Sequence, residues 1–477
     1  MTRLTARRSY SLAAVLLVTV GMLGALVASP APPAQAAAPT QAGVADRPNI
    51  VLVLADDQPK GTMAAMPGVR SEIRDLGVTF QNGVIPTTLC CPSRSALLSG
   101  RLAHGTGVYS NHPGSSFGGW PAFRDDENQT LATELSAGGY RTGFFGKYMN
   151  GYNRYGWQVD GKNAIPPGWD EFLAIKPPGD NDAAYYDYSL IGTQQAGPFG
   201  EAPEDYSTDV LRDQAVEFAR STPSDQPFFV MLSVFGPHSP LQPAPRHVDS
   251  WADQPIITPE GVNEKDMSDK PPWLQDAPRV REALLEAQQR RRLETLRSVD
   301  EAVSALVSAT GDRASNTLFI YLSDNGLMQG IHRLQGKDMP YRAAHGVPLF
   351  MRWDGVIEPG SVSGRVTANI DVTATIAEAA GVSWAMEGRS ALSSGRRGVV
   401  LEAMASERHP AYCGWRSKRY LYVRYSTGKE RELYDYMLDP AELNNVAGEK
   451  EYQAIERSLD RRTKLNCQPF PPDFSWN

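Results

Sequence analysis

The chain of 477 residues carries 47 Lys plus Arg against 54 Asp plus Glu, a formal net charge of −7. That sign offers a polyanion no general attraction, so nucleic acid is excluded as a partner, and any anionic polymer must be recognised by a local basic pocket. The length suffices for one large domain with an ample core plus a small one.

In chain order, residues 1–36 hold Arg3, Arg7 and Arg8, an apolar run over 12–28 and a small-residue box at Ala34-Gln35-Ala36. This is the layout of a cleaved signal peptide, followed by a short linker at 37–46; the competing reading is an uncleaved anchor, because the run approaches spanning length. Arg7-Arg8 also suits twin-arginine export. No later segment is long and apolar enough to cross a membrane, which predicts a secreted or cell-envelope protein with no integral membrane segment after cleavage.

Beyond residue 46, apolar runs alternate with helical patterns. This predicts an α/β domain over 47–385 with a large, mostly parallel, buried sheet. Residues 50–54 form a continuous apolar run that delivers Asp56-Asp57. Phe144-Phe145 leads to Lys147, residues 228–232 run toward Gly236-Pro237-His238, and residues 318–322 end at Asp324-Asn325. Ligands of open α/β sheets sit beyond the carboxyl ends of strands, so these segments bring carboxylates, a lysine and a histidine to one rim.

Helices are predicted over 130–139 and 281–308. In the second, Arg290-Arg291-Arg292 lies beside Glu286 and Glu294 and reads as a solvated face. The stretches 177–205 and 253–279 read as long surface loops. From 386 to 477 the texture changes to a small antiparallel sheet with a terminal helix.

Asp56, Asp57, Asp324 and Asn325 offer only oxygen ligands, which suits a hard cation such as Ca2+ or Mg2+ and disfavours zinc or copper. An Asp-Asp pair by itself is more often a turn or helix cap. Of the four cysteines, Cys90 and Cys91 are neighbours that cannot easily pair. Cys413 and Cys467 are either a disulfide, which export favours, or two free buried thiols.

Residues 90–101 read Cys90-Cys91-Pro92-Ser93-Arg94-Ser95-Ala96-Leu97-Leu98-Ser99-Gly100-Arg101. This stretch resembles the type I sulfatase signature, C-x-P-S-R-x-x-x-L-[ST]-G-[RK], and the resemblance extends from Arg47 to Asp435. It implies the alkaline-phosphatase-like sulfatase fold and conversion of Cys90 to formylglycine (3-oxoalanine) by a formylglycine-generating enzyme. One hydroxyl of the aldehyde hydrate attacks sulfur, and the other collapses to release sulfate. The family places calcium at Asp56, Asp57, Asp324 and Asn325, with the side chain derived from Cys90 at the same centre.

By the same resemblance Arg94 holds the hydrate, Lys147 and Lys337 neutralise the sulfate oxygens, and His238 protonates or polarises the departing oxygen. His332 and Asn150 are candidates for substrate contact. The chain is most similar to N-acetylglucosamine-6-sulfatases, through Cys90 to Arg94, Gly146-Lys147-Tyr148-Met149-Asn150, Tyr185-Tyr186-Asp187-Tyr188-Ser189-Leu190 and Pro237-His238-Ser239-Pro240. It departs from relatives at Met149, where many carry histidine, and at Arg342, Ala343 and Gly346.

The function implied is hydrolysis of a sulfate monoester on a sulfated sugar, such as a 6-sulfated glucosamine unit of a glycosaminoglycan. An arylsulfatase or a phosphate or phosphonate monoester hydrolase on the same fold is the alternative. A non-catalytic glycan-binding protein that keeps Cys90 as a thiol is an alternative of another class.

Overall fold

The computed structural model describes residues 47–476 apart from 157, 160–161, 180–182, 394 and 429. The signal peptide and linker of the sequence reading lie outside the described residues.

A ten-stranded sheet organises the molecule. Its strands are β1 (Asn49–Ala55), β2 (Val78–Val84), β3 (Arg141–Gly146), β4 (Glu171–Lys176), β5 (Tyr188–Gly192), β6 (Ala196–Phe199), β7 (Phe228–Ser233), β8 (Thr317–Ser323), β9 (Leu349–Arg352) and β10 (Ser361–Ala368). The spatial order is β10-β2-β9-β8-β1-β7-β3-β4-β5-β6. The central five, β8, β1, β7, β3 and β4, run parallel.

The apolar run of β1 follows from this placement. Ile50, Leu52 and Leu54 pack into one hydrophobic cluster, whereas Val51, Val53 and Ala55 pack into another on the opposite face. A strand covered on both faces has no polar side to alternate with. The first face is covered by α1 (Cys90–Ser99) and α4 (Asn369–Ala380), the second by α2 (Ser207–Ser221) and α3 (Glu282–Ala309). All ten residues of α1 are buried.

Two expectations are corrected here. The stretch 177–205 is not simply loop, because Tyr188, Leu190 and Ile191 are buried and the sheet edge is extended by β5, antiparallel to β4, and by β6, antiparallel to β5. Nor is the arginine run wholly solvated. Arg291 is exposed and Arg290 pairs with Glu286 at 3.0 Å, but Arg292 turns inward and is buried.

The small sheet is antiparallel: β11 (Gly398–Ala403), β12 (Tyr412–Ser417), β13 (Tyr420–Tyr425) and β14 (Arg431–Asp435), followed by α5 (Gln453–Asn466). Its Val399, Leu401 and Tyr434 share a core cluster with Val84 and Ala368 of the large sheet and Ile370 of α4. Cys413 and Cys467 are bonded, tying β12 to the end of α5. Beneath β13 and β14, the buried carboxylate of Glu432 accepts hydroxyl hydrogen bonds from Tyr341, Tyr425 and Tyr434 at 2.5–2.9 Å.

Candidate active site

The carboxyl ends of four parallel strands converge on Cys90. The backbone N–H of Asp56 donates to Gly236 O at 3.2 Å, and that of Asp324 donates to Ala55 O at 3.0 Å, so the segments leaving β1, β7 and β8 are laced together. Asp57 has φ 62°, a left-handed conformation uncommon for a non-glycine residue, and its N–H donates to Asp324 Oδ1 at 3.1 Å. Strain of this kind persists where the surroundings over-determine it. At the end of β3, Gly146 has φ 131°, and a Cβ there would fall 1.9 Å from Ser233 O. Only glycine permits that approach, and it brings Lys147 N–H to Ser233 O at 2.8 Å.

Cys90 is the first residue of α1 and is 1% exposed. Lys337 Nζ donates to its sulfur at 2.7 Å and Lys147 Nζ at 3.5 Å, while Asp56 Oδ1 lies 3.6 Å away. The lysines also pair directly with the carboxylates, Lys147 with Asp56 and Lys337 with Asp57. Arg94, one turn along α1, is sealed beneath them. Its Nε donates to Asp324 Oδ2 at 2.9 Å, its Nη1 donates to Lys147 O and Ser233 Oγ at 2.7 Å, and its Nη2 lies 3.6 Å from Asp56.

Three buried carboxylates thus face two buried cations, Arg94 and Lys147, and the half-buried Lys337. Burial would raise Asp56, but Lys147, Arg94 and Lys337 hold it well below the usual carboxylate range, and Lys337 lowers Asp57 against its own burial. Asp324 bears the residue of the crowding: burial and the charge of Asp56 push it up to about 6 against the pull of Arg94. Burial also pushes the Cys90 thiol up to about 11, although both lysines pull it down, so the unmodified side chain is a protonated thiol at neutral pH.

His238 Nδ1 lies 2.5 Å from Ser239 O. A carbonyl only accepts, so Nδ1 carries the proton and Nε2, 3.5 Å from Asp57 Oδ2, carries the lone pair of the neutral ring. Burial lowers the His238 pKa against the pull of Asp56 and Asp57, favouring that neutral form. The ring stacks on Phe235 at 4.9 Å, and Tyr185 Oη donates to His238 O at 2.8 Å.

The centre suits a metal ion. One donor atom from each of Asp56, Asp57, Cys90 and His238 falls within 4.8 Å of the others. Asn325 Oδ1 is buried with no hydrogen-bond partner among the described residues, while its Nδ2 donates to Asp57 Oδ1 at 2.6 Å. An orphaned amide oxygen beside three carboxylates is a hard-cation donor set, in which calcium or magnesium would be held by Asp56, Asp57, Asp324 and Asn325.

The pocket above Cys90, about 460 Å3, is lined by Lys147, Asn150, Tyr185, Tyr186, His238 and Lys337 among others. Asn150 therefore stands where a substrate could touch it. His332 does not. Its side chain is 0% exposed, with Nδ1 2.5 Å from Glu264 Oε2 and Nε2 3.8 Å from Glu442 Oε2, and it packs against Tyr341. The expectation of substrate contact for His332 is corrected: two buried glutamates claim the ring. The sequence reading also passed over Asn111 and Phe235, which line the pocket, and Ser233, which braces Arg94. Ser233 closes β7 and was legible as a strand end; nothing in the sequence marked Asn111.

Comparison with known proteins fits this geometry. Residues 48–382 match the sulfatase family model, and residues 330–468 match the C-terminal model of N-sulphoglucosamine sulphohydrolase. An N-acetylglucosamine-6-sulfatase of Capra hircus is 34% identical over 348 residues, 70% of this chain and 60% of the relative. The chain spans about half to three-fifths of the length of such curated relatives. A solved structure described as a complex with its substrate D-glucosamine-2-N,6-O-disulfate superposes with a TM-score of 0.73 at 22% identity, covering 88% of this chain and 98% of the other. The phosphonate monoester hydrolase of Agrobacterium radiobacter superposes with a TM-score of 0.68 at 18% identity, covering 88% of this chain and 95% of the other. The fold is the alkaline-phosphatase-like sulfatase fold.

Proposed function

This chain belongs to the sulfatase family, and from that membership we propose that it hydrolyses sulfate monoesters with a nucleophile made from Cys90. The observation that carries the reading is the setting of one buried thiol against Lys147, Lys337 and a cluster of Asp56, Asp57 and His238 that could share a metal ion with it. A protonated thiol is a poor nucleophile, so the setting makes better sense for a different group at that position. The sulfur of Cys90 stands in for an oxygen of a formylglycine hydrate, and its contacts with the two ammonium groups stand in for those oxygens' contacts. When present, the hydrate supplies one hydroxyl to attack sulfur and a second whose deprotonation expels sulfate.

The remaining work falls to this chain's side chains. Lys147 and Lys337 present ammonium groups to the sulfuryl oxygens and offset the charge that builds during transfer. Arg94 fixes Asp324 and the backbone of Lys147, which sets where those charges lie. In its neutral form His238 accepts a proton at Nε2, and as the imidazolium it returns one there to the leaving oxygen. Calcium held by Asp56, Asp57, Asp324 and Asn325 would add fixed positive charge and acidify the nucleophile.

For substrate we favour a sugar sulfated at a primary hydroxyl, a 6-sulfated glucosamine unit, on the strength of the goat relative. The second reading, a phosphonate or phosphate monoester hydrolase, draws on the Agrobacterium neighbour and on a cradle of cations equally suited to any tetrahedral anion. We further propose export through the N-terminal signal and maturation by a formylglycine-generating enzyme. Among the described residues no helix is long and apolar enough to cross a membrane.

The test is turnover of N-acetylglucosamine-6-sulfate, an aryl sulfate and an aryl phosphonate by protein carrying converted Cys90. Preference for the sugar sulfate supports the reading, preference for the phosphonate supports the second, and turnover of none leaves a glycan-binding protein.

A further inference from the structure

Cys91, the residue after Cys90, takes no part in the steps above, yet it fixes two amides of the pocket. Its backbone N–H donates to Asn111 Oδ1 at 2.8 Å. An N–H can only donate, so the oxygen of the Asn111 amide faces Cys91 and its NH2 group is turned elsewhere. Asn150 donates its backbone N–H to Cys91 Sγ at 3.2 Å and accepts from that thiol at Oδ1, 3.3 Å away. Asn111 and Asn150 are half-buried and line the pocket with Cys90. No hydrogen-bond partner for Nδ2 of Asn111 is found among the described residues.

The loop that carries Asn111 is held by its backbone. Tyr109 N–H donates to Phe117 O at 2.7 Å and Gly119 N–H to Ser110 O at 2.9 Å, which closes the loop on itself. Trp120 N–H donates to Asn150 O at 2.8 Å, so the two asparagine segments are joined. Gly119 has φ 61°, and a Cβ there would fall 2.6 Å from Asn150 O, so the junction requires glycine. A donor mounted on such a frame is held in place before any ligand arrives, which lowers the ordering cost of binding.

We propose that Asn111 is a substrate-contacting residue of this pocket, donating from its NH2 group to an oxygen of the bound ester, and that the backbone N–H of Cys91 aims it. The proposal rests on the sulfate-ester reading above. The acceptor is an oxygen of the sulfuryl group or of the sugar.

The competing account makes Asn111 a remote cap that merely satisfies an N–H in the first turn of α1. Two substitutions separate the accounts. Asn111→Asp keeps an acceptor for Cys91 and loses the donor; Asn111→Leu loses both without adding charge. Each protein is assayed for KM and kcat on N-acetylglucosamine-6-sulfate and on an aryl sulfate, with kcat normalised to the fraction of Cys90 converted, and for Tm.

The proposal predicts a KM about tenfold or more above wild type in both variants, with kcat changed less and Tm lowered only by Asn111→Leu. A rise confined to the sugar substrate assigns the acceptor to the sugar, and a rise on both assigns it to the sulfuryl group. A KM within about twofold of wild type for Asn111→Leu on both substrates overturns the proposal while leaving the sulfatase reading intact. Wild-type protein that is fully converted at Cys90 and turns over neither substrate overturns the reading, and the proposal with it.

Discussion

Replacing Lys337 by methionine isolates the charge that faces the nucleophile. Lys337 Nζ is 2.7 Å from Cys90 Sγ and pairs with Asp57, and methionine retains most of the side chain's length without the ammonium. A unit charge about 4 Å from charge developing on a sulfuryl oxygen, at an effective dielectric of about 20, contributes about 4 kcal/mol. Lys147 and any bound cation share that field, so a loss of about 3 kcal/mol, or roughly a hundredfold in kcat, is expected. Folding should suffer less, because the Asp57 carboxylate keeps the Asn325 Nδ2 hydrogen bond at 2.6 Å. The assay is kcat on a sulfate ester per converted Cys90, with Tm measured alongside. A Lys337→Met protein, fully converted and folded, that retains kcat within about fivefold of wild type would refute the assignment of transition-state charge to this lysine.

Four further outcomes are expected from the same contacts. Exhaustive chelation, or Asp324→Asn, should abolish turnover and lower Tm, and calcium should restore the chelated protein; undiminished turnover after chelation, with metal content checked by mass spectrometry, would remove the cation from the mechanism. Glu432→Ala strands the hydroxyls of Tyr341, Tyr425 and Tyr434, and urea unfolding should show a loss of about 3–6 kcal/mol. Glu127, which accepts from Tyr148 and Trp120, is pushed by burial from 4.5 up to about 7. Because its folded pKa is raised, its contribution is full below about 4.5 and is lost as pH rises through about 7, so the advantage of wild type over Glu127→Gln in urea should shrink by up to ~3 kcal/mol between pH of about 5 and about 8. The Cys413–Cys467 bond closes 54 residues, so Cys413→Ser with Cys467→Ser should cost ~4 kcal/mol of stability in the chain-entropy model, read by calorimetry.

The parts of the fold that could be read from sequence are those where burial leaves a local mark. The run 50–54 is apolar at every position because both faces of β1 are covered, and the acids after β1 and β8 follow such runs directly. Strands β5 and β6 were hidden because Pro, Gly and Asp around them gave a loop's composition, and only tertiary packing of Tyr188 and Leu190 recruits them to the sheet edge. His332 looked like a binding residue because sequence gives no sign that Glu264 and Glu442 fold against it. Arg292 looked solvated because its neighbours are, yet it occupies the inward side of α3 with Leu293 and Leu296. Asn111 carries no sequence mark at all: its place depends on a backbone N–H twenty residues upstream in the chain.

The measurement that bears most directly on this account is the mass of the proteolytic peptide containing Cys90, taken from protein secreted by its own host. The account predicts a residue at position 90 that has lost one sulfur and two hydrogens and gained one oxygen, the composition of formylglycine. An unmodified cysteine in protein that nonetheless hydrolyses sulfate esters would contradict it.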